Sequence, residues 1–291
     1  MKLGERALLV TLNVGSWNGM ALDKEVSDEV SETHKADKDA GRYNKRIIAT
    51  KFLSNVSSHI SVARKSHRLL TLPWQDDGTR ILSVTGYEHY TQTMKLKSHG
   101  MEAAATEFVK NLPDYIKEAK TRLGTMFNPD DYPTADEVRE KFYIDVEMKP
   151  IPESGDFRAK LTTEAVKAVT QDIENRCNAK VEAAMQDVYA RIVDVTAKMS
   201  ERLRAFEPSA KDEPTKNVFR DTLVGNVAEL ADLIPSLNIT GDPKLDALAK
   251  QLKDDLVEYS PEVLRADAKA RKKTADNAER ILRKAKQFLA S

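Results

Sequence analysis

Residues 161–206, LTTEAVKAVTQDIENRCNAKVEAAMQDVYARIVDVTAKMSERLRAF, contain neither Gly nor Pro. Within them Val166, Val169, Ile173, Cys177, Val181, Met185, Val188, Ile192, Val195, Met199, Leu203 and Phe206 recur at steps of three or four. That spacing stacks the apolar side chains on one face of an α-helix. At a rise of ~1.5 Å per residue the helix would be roughly 65–70 Å long, more than a compact domain of this size requires. The mean step is closer to ~3.6 than to ~3.5, which favours a helix packed on neighbours over a regular left-handed two-stranded coil. Two coverings of the stripe are open. Later helices can fold back along it, or a second chain can take what they leave bare. Cys177, the only cysteine, lies within the stripe and reads as a small buried apolar residue. A lone cysteine excludes an intramolecular disulfide framework and a multi-cysteine metal site.

The residues C-terminal to this helix support folding back. Residues 207–217, EPSAKDEPTKN, form a polar linker containing two prolines. Helical patterns then occupy about 218–234 (ending before Pro235), 243–258 and 262–290. Their short connections suit an antiparallel bundle. The last stretch carries nine Lys/Arg against three acids between Arg265 and Lys286 and reads as a solvated basic face.

The first half of the chain is mixed. ALLVTLNVGSW alternates as a half-buried strand closed by Gly15 and Ser16. A polar helix is expected from about Leu22 to Ala40, with only Val26 and Val30 marking a buried side. LLTLPW and RILSVTGY flank the turn sequence QDDGT and predict a β-hairpin, with Pro73 confining its first strand to an edge. Residues 87–124 read as helix, with Pro113 kinking or splitting it. Thr134 has Glu137 at capping-box spacing, and FYIDVEMKPIP alternates as a strand. The fold class expected is therefore α+β, mainly α with a small β component. A mixed region over 1–155 precedes the long helix and the helical bundle of 156–291.

Charge is balanced overall, with 46 basic and 46 acidic residues, yet residues 41–74 contain no acid. Arg42, Lys45, Arg46, Lys51, Arg64, Lys65 and Arg68 lie there, with Ile47, Ile48, Phe52, Leu53, Val56, Ile60 and Ala63 at helical spacing. An acid-free set of cations suits a phosphate backbone, because neighbouring carboxylates would restore the repulsion that binding relieves. Tyr43 and Trp74, together with Phe52, could stack on unpaired bases if exposed. The competing reading is internal. The helix just before this segment carries Asp23, Glu25, Asp28, Glu29, Glu32, Asp37 and Asp39 and could neutralise the cations.

Enzymatic signatures are scarce. There is no phosphate-binding glycine loop, no dinucleotide fingerprint, no H-E-x-x-H and no G-x-S-x-G. The five His are scattered, so no catalytic residue, metal site or cofactor is expected. One pattern, Asp130 followed by Glu147 and Lys149, has the residue types of a metal-dependent nuclease, in which two acids hold a divalent ion and a lysine assists the attacking water. A predicted helix separates its halves, and Asp130-Asp131 reads more simply as a turn. No apolar run approaches the ~20 residues of a membrane span. The N-terminal MKLGERALLVTLNV is a poor secretory signal, so a cytoplasmic location is expected.

Four stretches, LLVTLNVGSWNG, TLPWQDDGTRIL, LGTMFNPDDYPTADEVREKF and FRDTLVGNVAELADLIPSLNITGDPKLDAL, resemble a family of uncharacterised bacteriophage and prophage proteins known only as a domain of unknown function. The resemblance implies a phage origin, an intracellular setting in the infected host, and a role alongside phage DNA metabolism or an AAA-type ATPase. It transfers no active site. The combined expectation is a non-enzymatic homo-oligomer that binds nucleic acid, single-stranded DNA in particular, through Lys/Arg 42–68, Tyr43 and Trp74. The alternatives are a helical scaffold or adaptor for a protein partner and, third, a metal-dependent nuclease.

Overall fold

The computed structural model describes residues 3–152, 163–209 and 215–289. It is mainly helical with a small β component, as the periodicities require. Strand β1 (Ala7–Gly15) pairs antiparallel with β5 (Arg80–Ser83), Ala7 opposite Ser83 and Val10 opposite Arg80. β5 also pairs antiparallel with β4 (Leu72–Pro73). With β6 (Tyr143–Lys149) the order is β4-β5-β1-β6. Pro73 thus sits on the edge strand, where its missing N–H leaves no ladder bond unmade. A separate two-stranded ribbon joins β2 (Met20–Asp23) to β3 (Tyr43–Arg46).

Two compact units share the chain, and a single cut near residue 155 does not reproduce them. A mixed unit holds Leu12–His67 and Tyr90–Glu147. A helical unit holds the residues up to Thr11, Arg68–His89 and everything described from Met148 onward. The hairpin falls in the helical unit because β4 packs on α6 and β5 on α7, with α6 spanning Thr163–Ala205 and α7 Thr222–Leu237.

In the mixed unit, α1 (Lys24–His34) starts at Asp23, whose side chain accepts from the Val26 N–H. It ends before the expected Ala40, because Lys35 turns left-handed (φ 50°) and caps the last carbonyls. Helix α2 (Thr50–Leu70) buries Leu53, Val56, Ile60 and Ala63. Its apolar side joins a core with Met101 and Phe108 of α3 (Tyr87–Lys110), and with Ala119 and Leu123 of α4 (Leu112–Leu123). Asn111 divides α3 from α4, and Pro113 occupies the first turn of α4, where no intrahelical N–H is lost. Thr134 and Glu137 form the reciprocal capping box of α5 (Ala135–Glu140).

In the helical unit, α6 packs with α7 and with α10 (Ala268–Leu289), while α8 (Pro243–Leu256) packs on both α7 and α10. Two expectations are corrected. α7 runs through Pro235 to Leu237; so near the helix end the missing N–H costs one bond, and burial of Leu237 and Ile239 outweighs it. The expected helix 262–290 is broken into α9 (Pro261–Ala266) and α10 at Asp267. The Asp267 carboxylate accepts from the N–H groups of Lys269 and Ala270, at 2.7 and 3.2 Å, and so starts a new helix. Residues 161–162, 210–214 and 290, parts of the predicted long helix, linker and last helix, lie outside the described residues. Along α6, burial begins only at Ala184. Val166, Val169, Ile173, Cys177 and Val181 are part-exposed, so Cys177 is not the buried residue expected.

Candidate nucleic-acid interface

The acid-free segment folds as β3, a short turn and α2. The ribbon partner of β3 is β2, so alternate residues of YNKR face opposite ways: Tyr43 and Lys45 to one side, Asn44 and Arg46 to the other. On α2 the apolar positions are taken by the core, and the polar ones are forced to the opposite face. Arg42, Tyr43 and Arg46 are exposed at β3 and Lys51 at the start of α2; Arg64 and Lys65 are exposed on its later turns. Arg68 is exposed in the last turn of the same helix but belongs to the helical unit.

Two predicted residues drop out. Lys45 is buried, its Nζ 2.8 Å from Asp131 Oδ2, 3.0 Å from Asp23 Oδ2 and donating to the Met126 carbonyl at 2.8 Å. Three acceptors satisfy its three protons, and none is left for a phosphate. Burial alone would lower its pKa, but the two carboxylates outweigh that and raise it. Asp23 is held below the usual carboxylate range, first by the Val26 N–H and then by Lys45. Trp74 is buried in the helical unit, with Lys180 Nζ 5.4 Å from its ring centre. Stacking on a base would require unpacking it. Phe52 is similarly committed, stacked on Tyr115 at 4.0 Å between ring centres.

The neutralisation that the acidic helix could have supplied is confined to one contact. Asp23 reaches Lys45. Among the described residues, no ion pair within 4.0 Å joins Arg42, Arg46, Arg64, Lys65 or Arg68 to any carboxylate. Lys51 alone has a surface partner, Glu118 at 3.8 Å. Such an exposed pair is worth at most ~1 kcal/mol and is readily exchanged. Among the described residues, Arg42, Arg46, Arg64 and Lys65 are therefore without a carboxylate partner.

One set of residues is not picked out by charge. Ser54, Ser57, Ser58 and Ser61 are exposed on α2 and fall, at steps of three and four, on the stripe that continues into Arg64 and Lys65. Hydroxyls of this kind are common phosphate contacts. Their signal in the sequence is S-x-x-S-S-x-x-S preceding R-K, a spacing that a search for cations passes over.

The residues of the nuclease pattern lie on separate elements. Asp130 lies in the turn Pro129–Asp131, its N–H donating to Asn128 Oδ1. Glu147 and Lys149 are exposed on β6. Among the described residues, no group of three or more His, Cys, Asp or Glu is placed to hold a metal ion. No described helix is long and apolar enough to cross a membrane. No protein-family model, curated protein or solved structure matches the chain.

Proposed function

We propose that the mixed unit binds nucleic acid, single-stranded DNA in particular, through the acid-free face of α2 and the exposed residues of β3. The observation that carries this reading is that, among the described residues, Arg42, Arg46, Arg64 and Lys65 have no carboxylate partner, while Asp23 at the start of the acidic helix pairs with Lys45. Arg64 and Lys65, with Ser57, Ser58 and Ser61, would contact phosphates, and Tyr43 would stack on a base. From Thr50 to Arg64 the helix advances ~21 Å at ~1.5 Å per residue, so contacts at its two ends would follow an extended strand. The phage setting, the cytoplasmic location and assembly into a homo-oligomer belong to this proposal. Fluorescence anisotropy of a labelled oligonucleotide tests it. Binding should weaken steeply between about 50 and 200 mM salt, and Arg64→Glu with Lys65→Glu should weaken it further. Unchanged affinity in that variant would remove α2 from the interface.

A second reading rests on α6. Its first half keeps five stripe residues part-exposed, which suits a scaffold or adaptor that docks a helical partner, such as a phage AAA-type ATPase or a second copy of the chain. Ile173→Asp should then abolish association seen by light scattering and leave oligonucleotide binding intact.

A further inference from the structure

The helical unit contains a cleft of about 820 Å³ that the nucleic-acid reading does not use. It is held open by side chains bonded to distant backbone. Arg6 Nη1 donates to the Thr240 carbonyl at 3.0 Å, and the Ser83 hydroxyl donates to the Ser236 carbonyl while accepting from the Gly86 N–H. Asn238 is buried and its side chain makes four bonds. It donates to the Asp242 carbonyl and to Asp246 Oδ1, and accepts from the Asp242 N–H and the Thr240 hydroxyl. These bonds fix the loop after α7 against the turn after β5. The concavity is therefore formed before any ligand arrives, as small-molecule sites usually are.

Its chemistry is amphipathic. Val84, half-exposed at 50%, and the exposed Pro235 supply apolar wall, with an edge of the otherwise buried Ile239. The carboxylates on the wall are engaged: Asp246 by Asn238, and Asp232 by Lys253 at 2.8 Å. Glu5 at the rim is engaged too. Of the cations, Lys253 is taken up by Asp232, but Arg6 and Lys250 have no carboxylate partner among the described residues. Among the described residues Arg6 Nη2 has no partner, although Nη1 holds the group in place over Gly241, and Lys250 forms no ion pair. Gly241 is required at that point. Its φ is +69°, and a Cβ there would stand 2.9 Å from Arg6 Nη2.

We infer that this cleft binds a small organic anion, its carboxylate or phosphate against Arg6 and Lys250 and its apolar body against Val84, Pro235 and Ile239. Amide chemical-shift mapping of the full chain with 2-naphthoate as probe tests it. The expected result is a saturable shift at the Gly86 and Gly241 amides, weakened at least about tenfold by Lys250→Glu and abolished by Val84→Asp. Both substitutions fall on exposed side chains, so the unaltered remainder of each spectrum reports that the fold is kept. Inorganic phosphate alone should shift these amides only at far higher concentration, because it lacks the apolar body. The inference is overturned if naphthoate leaves Gly86 and Gly241 unshifted. It also falls if the two variants bind as the parent does, or if inorganic phosphate binds as tightly as naphthoate.

Discussion

Lys45 and Asp131 form a buried ion pair at 2.8 Å, and Asp131 Oδ2 has no other hydrogen-bond partner among the described residues. With Asp23 on the other side of the ammonium group, the pair ties β3 to the start of α1 and to the Pro129–Asp131 turn. The first lysine of the acid-free segment is thereby a structural residue. Replacing it should act on stability and not on nucleic-acid contact. Lys45→Met would leave two carboxylates facing each other without a counter-charge, at a cost of about 3 kcal/mol. Urea unfolding should show that loss, while oligonucleotide affinity of the folded protein stays at the parent value.

The same cluster sets a pH dependence with two limbs. Asp23 has a folded pKa below its ordinary 3.8, so its contribution is present above pH 3.8 and lost as pH falls through the lower folded value. Lys45 has a folded pKa above its ordinary 10.5, so its contribution is full below pH 10.5 and lost as pH rises through the higher folded value. Thermal melts across pH should therefore show the cluster at full strength through the neutral range and weakening at both extremes. Lys45→Met should flatten the alkaline limb.

Binding to a strand should report on Arg64 and Lys65 through salt. Each single-strand phosphate contact contributes about 0.7 to the slope of log affinity against log salt. Arg64→Gln with Lys65→Gln should reduce that slope by about 1.4 and weaken binding to all sequences alike. A sequence-selective loss would contradict a backbone contact.

Gly19 closes the turn between β1 and β2 with φ +64°, and a Cβ there would stand 2.9 Å from Ile48 Cβ. Gly19→Ala combines a left-handed backbone penalty of ~1–2 kcal/mol with overpacking of ~1–3 kcal/mol. A destabilisation of at least about 2 kcal/mol in chemical denaturation is expected.

Thr134→Ala removes one half of the capping box, in which Thr134 Oγ1 accepts from the Glu137 N–H and Glu137 Oε2 accepts from the Thr134 N–H at 2.7 Å. The expected loss is about 1 kcal/mol, with hydrogen exchange accelerated at Glu137.

The features legible in the sequence are those whose cause is local. The α6 stripe, the break before Pro113, the edge position of Pro73 and the Thr134–Glu137 box each follow from residues within a few positions of one another. The ribbon β2–β3 is not legible, because MALD and YNKR are four residues each and show no alternation long enough to distinguish them from helix. The candidate site is legible as charge but not as environment. Nothing near Lys45 announces that Asp131 will reach it, and Trp74 looks the same in sequence whether packed or exposed. Whether Arg64 and Lys65 are free likewise depends on where the acids of α1 are carried, which is set by the ribbon.

The way the chain is shared between the two units has a consequence during synthesis. The opening half of β1 and the whole β4–β5 hairpin belong with helices that begin to leave the ribosome only at Thr163, whereas the mixed unit is complete in the nascent chain once Glu147 emerges. The early strand and hairpin must therefore wait, with the edge of β4 unprotected, until α6 and α7 arrive to cover them. Truncating the gene after the mixed unit would not release a clean domain. It would strand two orphaned pieces of sheet that a growing polypeptide holds only in passing.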